Sequence, residues 1–175
     1  MPQETKRTIP SDLIEATAFE LMRRAAIEIP EDFRLGVEAM VDTEAEDLSR
    51  FVLESMVENW HAAEEDRRAM CADTGLPRYY VKAGNEAVIG GGFVALERAL
   101  RRATARATHE IPLRPNRVHP LSRPDHNNNV GINAPEIEFS FEPDADWLDI
   151  TTVHKGGLFG TDYRMLFPGD GKDGI

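Results

Sequence analysis

Cys71 is the only cysteine among 175 residues, and it stands in the stretch Met70-Cys71-Ala72-Asp73-Thr74-Gly75. A charged helical pattern, His61 to Arg68, precedes it. Gly75-Leu76-Pro77 follows as a turn signal, and Arg78 to Lys82 then read as a strand. A thiol, a carboxylate and a hydroxyl therefore share one tight helix-to-strand connection, and loops held by rigid elements are where chemistry concentrates. A lone cysteine is also a common small hydrophobe of protein interiors. On these residues alone the ligand and packing roles both stay open, because a cysteine reads as a site only when its partners are visible.

Other groups compete for attention. Asp73 and Thr74 serve equally as turn residues, since both bond nearby backbone. Residues 111 to 135 are rich in Pro, Asn, Arg and His, and long irregular stretches in compact domains are usually functional or disordered. Within them, Asn127-Asn128-Asn129-Val130-Gly131 brings side-chain amides to a ligand or simply forms turns. Lys155-Gly156-Gly157 follows a strand pattern directly, and glycine there admits either a ligand loop or a strand-end turn. Gly90-Gly91-Gly92 opens a helix, a place where anions bind. It lacks a P-loop lysine and dinucleotide spacing, so a flexible loop explains it better. His119, His126 and His154 have no zinc-ligand spacing and read as surface or hydrogen-bonding residues.

The elements that must position these groups are legible from periodicity. Ser11 caps a helix whose apolar residues, Ile14, Ala18, Leu21, Met22 and Ala25, recur at helical spacing until Pro30. A shorter helix follows from Glu31 towards Met40. Thr43 and Glu46 form a capping box, opening a helix with Leu48, Phe51, Val52, Met56 and Trp60 on one side. Beyond the strand at Tyr79 to Lys82 comes an amphipathic helix with Phe93, Leu96, Leu100, Ala103 and Ala107 inward. Ile137 to Phe141 alternates as a strand. Trp147 to Val153 is another, with Pro143 to Asp146 as a hairpin-like connection between them. The expected fold class is α+β, N-terminal helices packed on a small mixed β-sheet. One domain spans 1–175, helical over 1–70 and mixed α/β over 71–175. Trp60 and Phe139 are expected to be buried where helices meet sheet.

Composition narrows the function classes. A net charge of −11 argues against a nucleic-acid partner, and Arg98, Arg101, Arg102 and Arg106 read as a solvated helix face. No apolar run reaches membrane-spanning length, and the first ten residues lack the apolar core of a signal peptide. One cysteine excludes an internal disulfide and suits the reducing cytoplasm.

Several segments then line up in order. Cys71-Ala72-Asp73-Thr74-Gly75 with Tyr80-Val81-Lys82-Ala83-Gly84 resembles the C-x-D-T-G … VKVG segment of the iron–sulfur hydro-lyases. That family contains class I fumarate hydratases and L-tartrate dehydratases. Leu113-Arg114-Pro115-Asn116 with His119-Pro120-Leu121 matches further on, as do His154-Lys155-Gly156-Gly157 and Met165 to Gly171. The resemblance runs from about Ala16 to the last residue and covers the N-terminal part of the family's α region.

That resemblance implies a 4Fe–4S cluster held by three cysteine thiolates, its fourth iron open to the carboxylate and hydroxyl of a small dicarboxylate. It makes Cys71 a cluster ligand and Asp73 a polar catalytic group beside the substrate. Arg114 becomes the carboxylate clamp, and Asn129, Lys155 and Gly156 become substrate-binding residues. The departures are as informative. The family needs three cysteines and this chain has one; where some single-chain members carry a second, it has Thr152. The remaining ligands and the proton-moving base are expected from the rest of the α region and from a β region or subunit. The expected partners are those regions and a small dicarboxylate, in an oligomer, with the isolated chain inactive. The rival expectation is a clusterless binding or assembly domain that keeps the fold without the chemistry. If the family reading holds, Cys71, Asp73, Arg114 and Lys155 should meet on one concave face.

Overall fold

The computed structural model describes residues 7–111, 113–117, 121 and 127–156. His119, Pro120, His126, Gly157 and the Met165 to Gly171 segment lie outside the described residues. The order of elements is β1 (Thr8–Ile9), α1 (Ser11–Ile27), α2 (Glu31–Thr43), α3 (Asp47–Asp66), β2 (Leu76–Gly84), β3 (Val88–Ile89), α4 (Gly92–Glu110), β4 (Glu136–Glu142) and β5 (Leu148–Lys155). The fold is α+β. Even the helix-rich first part contributes a strand, because β1 pairs in parallel with β3.

The main sheet has the order β4-β2-β5. β2 runs parallel to β4 and antiparallel to β5. The expected hairpin between β4 and β5 is therefore absent: the two strands flank β2, and the 143–147 connection crosses its end. Gly84 N–H bonds the Trp147 carbonyl at 2.8 Å, and Glu86 N–H the Ala145 carbonyl at 2.8 Å. A Cβ on Gly84 would lie 2.3 Å from the Ala145 oxygen, so only glycine lets the crossing come this close. Leu76 and Pro77, expected in a turn, begin β2 instead. β4 pairs only from Arg78 onward, so at Pro77 the ladder is one-sided and a residue without an N–H is tolerated.

Alternation along β2 sends Tyr79, Val81 and Ala83 inward. α1 covers them with Ile14, Ala18 and Met22, and α4 with Leu96, Leu100, Ala103 and Ala107. The alanines let these helices approach closely. The buried Tyr79 hydroxyl lies 2.8 Å from Met22 Sδ and 3.0 Å from Thr104 Oγ1. On the outer face Tyr80 lies exposed between two charged residues, and Arg78 pairs with Glu136 and Lys82 with Glu142. Three arginines of the α4 stripe are paired locally: Arg101 meets Glu97, Arg102 meets Glu15, and Arg106 meets Glu110. No helix among the described residues is long and apolar enough to cross a membrane.

Several packing expectations need correction. α1 and α4, not α1 and α3, lie on the sheet. α3 pairs with α2 and reaches the body through Trp60 and Ala63, so Trp60 is buried while Leu48, Phe51, Val52 and Met56 are exposed. Phe139 is 41% exposed, because it lies on β4, an edge strand of the sheet. Phe93, expected inward, is also exposed and meets Phe139 edge-on, with ring centroids 5.8 Å apart. Cap positions shift as well. Pro10 occupies the N-cap of α1, Thr43 ends α2 by bonding the Ala39 carbonyl, and Glu46 caps α3 without a side-chain bond, so the capping box does not form.

Candidate functional site

α3 ends at Arg67 in a left-handed conformation, with φ 53°, which turns the chain back across α1. Met70 is then fixed from both sides: its N–H bonds the Ala26 carbonyl at 3.1 Å, and its carbonyl accepts from Asn59 Nδ2 at 2.9 Å. Cys71 follows, exposed, its Sγ 3.1 Å from the Asp73 carbonyl oxygen. The thiol thus sits at the rim of a tight turn, not in the core.

Three chain segments converge at this turn. From β5, register with β2 sets Lys155 opposite Leu76, so Lys155 and Gly156 lie against residues 73 to 75. Gly75 has φ +75°, and a Cβ there would lie 2.5 Å from the Lys155 carbonyl carbon. A Cβ on Gly156 would lie 3.4 Å from Asp73 Oδ2. From the segment after α4, Arg114 N–H donates to Thr74 Oγ1 at 2.8 Å. Asn116 Nδ2 donates to the Gly75 carbonyl at 3.0 Å and approaches Asp73 Oδ1 at 3.4 Å. Cys71, Asp73, the Arg114 backbone and Gly156 therefore belong to one neighbourhood. Lys155 also lines a cleft of about 690 Å³ with Leu76, Arg78, Arg101 and Glu136, which Cys71, Asp73 and Arg114 do not border.

Asn129 is 1% exposed, and its carboxamide bonds only protein groups: the Asn116 and Arg117 N–H groups, the Arg114 carbonyl and the Thr108 hydroxyl. It lies behind the site, where it shapes the loop. The spacing of His154 points to a surface or a hydrogen-bonding role, and the part-buried ring makes hydrogen-bonding contacts. Nδ1 lies 3.1 Å from the Thr74 carbonyl oxygen and Nε2 3.0 Å from that of Met22. Both neighbours are acceptors, and a neutral imidazole has one N–H to offer. Burial is the largest influence and lowers the His154 pKa, while the two carbonyls favour the protonated ring and oppose it. The sequence reading did not single out Asn116 or Thr108 as site-building residues. Asparagine within a matching motif was the available signal for the first, whereas Thr108 reads as one more residue on an amphipathic helix.

A cluster needs several thiolates, and the chain's residues do not meet that need alone. Cys71 is the only cysteine, and no group of three or more His, Cys, Asp or Glu among the described residues is placed to hold a metal ion. Thr152, opposite Tyr79 on the core face of β5, has a buried hydroxyl without a hydrogen-bond partner among the described residues.

A profile of the fumarate hydratase (Fumerase) family matches residues 15–175. The chain belongs to this family. A Methanocaldococcus jannaschii protein provisionally named L(+)-tartrate dehydratase subunit alpha is 35% identical over 167 residues, covering 93% of this chain and 58% of the relative. The L(+)-tartrate dehydratase subunit alpha of Escherichia coli UTI89 is 26% identical over 178 residues, covering 100% of this chain and 57% of the relative. A Geobacillus stearothermophilus protein provisionally named class I fumarate hydratase is 27% identical over 140 residues, 79% of this chain and 26% of the relative. The chain thus spans little more than half the length of the fumarate hydratase family's α-subunit relatives that it matches. The three converging segments fall inside the matched range.

Proposed function

We propose that this chain is part of the α component of an iron–sulfur hydro-lyase that reversibly adds or removes water in a small dicarboxylate of the fumarate/malate or tartrate type. The observation that carries the reading is the convergence of Cys71, Asp73, Arg114 and Gly156 at one turn, in a chain of the fumarate hydratase family. In this reading Cys71 supplies one cluster thiolate, and the other ligands come from the remaining α region or a β region or subunit. Such a cluster supplies a Lewis acid for the departing or entering hydroxyl. Asp73 provides a polar group beside the substrate, and Arg114 holds a carboxylate through a charge-assisted pair. Gly156 permits close backbone approach, and Lys155 adds positive charge at the neighbouring cleft. The working compartment is the reducing cytoplasm, which suits an exposed, unpaired thiol.

The test uses the assembled enzyme, purified anaerobically. Cys71→Ser is expected to abolish the intact cluster's visible absorbance. Arg114→Ala is expected to retain it and weaken dicarboxylate binding by roughly tenfold or more. Unaltered absorbance in Cys71→Ser would remove the ligand role. The rival, a clusterless binding or assembly domain, draws on the single cysteine and the buried Thr152. It predicts that an assembly rebuilt with iron and sulfide carries no cluster at all.

A further inference from the structure

We propose that Asn129 is a positioning residue which, together with Thr74, clamps the Arg114 backbone from both sides and so aims the Arg114 guanidinium. The proposal rests on the reading of Arg114 as the carboxylate-binding arginine. Arg114 lies in a stretch without regular secondary structure, where nothing in a helix or strand ladder would fix its φ and ψ. Two side chains do so instead. Its N–H donates to Thr74 Oγ1 at 2.8 Å, and its carbonyl accepts from Asn129 Nδ2 at 3.1 Å.

The Asn129 amide is used in full. Oδ1 accepts from the N–H groups of Asn116 at 2.8 Å and Arg117 at 3.3 Å, and the second Nδ2 hydrogen goes to Thr108 Oγ1 at 3.2 Å. A carboxamide has two donor hydrogens and two acceptor lone pairs, so none is left for a ligand. Thr108 lies in the last turns of α4, and its hydroxyl contacts the Thr104 carbonyl at 2.8 Å. Asn129 therefore ties the irregular loop to a rigid helix. Its own φ of 54° is one that asparagine adopts more readily than most residues. A satisfied buried network of this kind rigidifies what it touches. A preorganised arginine gives up less freedom when it takes hold of a carboxylate. The Thr74 carbonyl oxygen lies 3.1 Å from Nδ1 of His154, so the second half of the clamp packs against β5.

The experiment measures succinate, an unreactive dicarboxylate, binding to the assembled enzyme by calorimetry, in a double-mutant cycle of Asn129→Asp and Arg114→Ala. Asn129→Asp keeps the acceptor but has no hydrogen to give the Arg114 carbonyl. Each single change is expected to weaken binding on the order of tenfold. In the Arg114→Ala background, Asn129→Asp should add less than about twofold, because the group it acts through is gone. An undiminished loss in that background would overturn the positioning role and leave the clamp standing. No effect of Arg114→Ala alone would end both. If Asn129→Asp does not fold, Thr74→Val carries the same cycle, since it keeps the side-chain shape and removes the acceptor for the Arg114 N–H. Hydrogen exchange gives a readout that needs no substrate. The Arg114 amide should exchange at least roughly tenfold faster in Thr74→Val, and an unchanged rate would overturn the proposal.

Discussion

Replacing Gly75 by alanine tests whether the turn that carries Cys71 and Asp73 is shaped by contact with the end of β5. The backbone at Gly75 has φ +75°, which alone costs an L-residue about 1–2 kcal/mol. The added Cβ would also lie 2.5 Å from the Lys155 carbonyl carbon, 2.6 Å from its oxygen and 2.9 Å from the Gly156 nitrogen. All three are backbone atoms, so no side chain can swing away. Either the strand end retreats or the turn does, at the expense of the Leu76 to Lys155 pairing or the Asn116 bond to the Gly75 carbonyl, each worth about 1 kcal/mol. The expected loss is about 3 kcal/mol in all. Gly92 is the control: its φ is +70° but nothing lies within 4 Å of a Cβ built there, so Gly92→Ala carries the conformational cost alone. Urea unfolding of the two variants beside the parent gives both values. If Gly75→Ala loses no more than Gly92→Ala, the close approach of β5 does not shape this turn.

Two further predictions concern titration. His154 has its folded pKa lowered, chiefly by burial, so its contribution to stability is complete above the unfolded value of about 6.5 and is lost as pH falls through the folded pKa. His154→Gln should therefore show a shallower fall in unfolding free energy as pH drops below about 6.5 than the parent; parallel curves would show that the ring is not buried in the neutral form. Burial pushes the Tyr79 hydroxyl up to about 12, outweighing the Thr104 hydrogen bond that opposes it. Its stabilising share is complete below the unfolded pKa of about 10 and is lost as pH rises through the folded one. Ultraviolet titration should find one tyrosine silent until about pH 12, absent in Tyr79→Phe, and normal ionisation of all three would refute the packing of α1 and α4 over β2.

Strong periodicity made α1, α4 and the three strands of the main sheet readable, because one dominant apolar face sets each pattern. The α3 face misled for the same reason. Leu48, Phe51, Val52 and Met56 repeat at helical spacing, but the pattern says only that a face is apolar, not that anything in this chain covers it. Pairing order was hidden too: a short polar connection between two strands normally means a hairpin, whereas here β2 lies between them. At the site, the residue types in the Cys71 to Gly75 stretch and at Arg114 were visible as motifs. The division of labour among the asparagines was not, because whether an amide faces a ligand or holds a loop depends on a burial that sequence does not display. Asn129 proved to be a buried one.

The central place of β2 also orders events during folding. Both of its neighbours come later in the chain, and β5 is the last described strand to be synthesised. Pairing between positions so distant in sequence is slow to form, since loop closure must precede any reward from contact. The turn bearing Cys71 therefore has only part of its walls until β5 arrives and sets Lys155 and Gly156 against residues 73 to 75. A chain still emerging from the ribosome would present its single thiol on a segment of unsettled shape. The closing of the sheet therefore also completes the surroundings of the thiol.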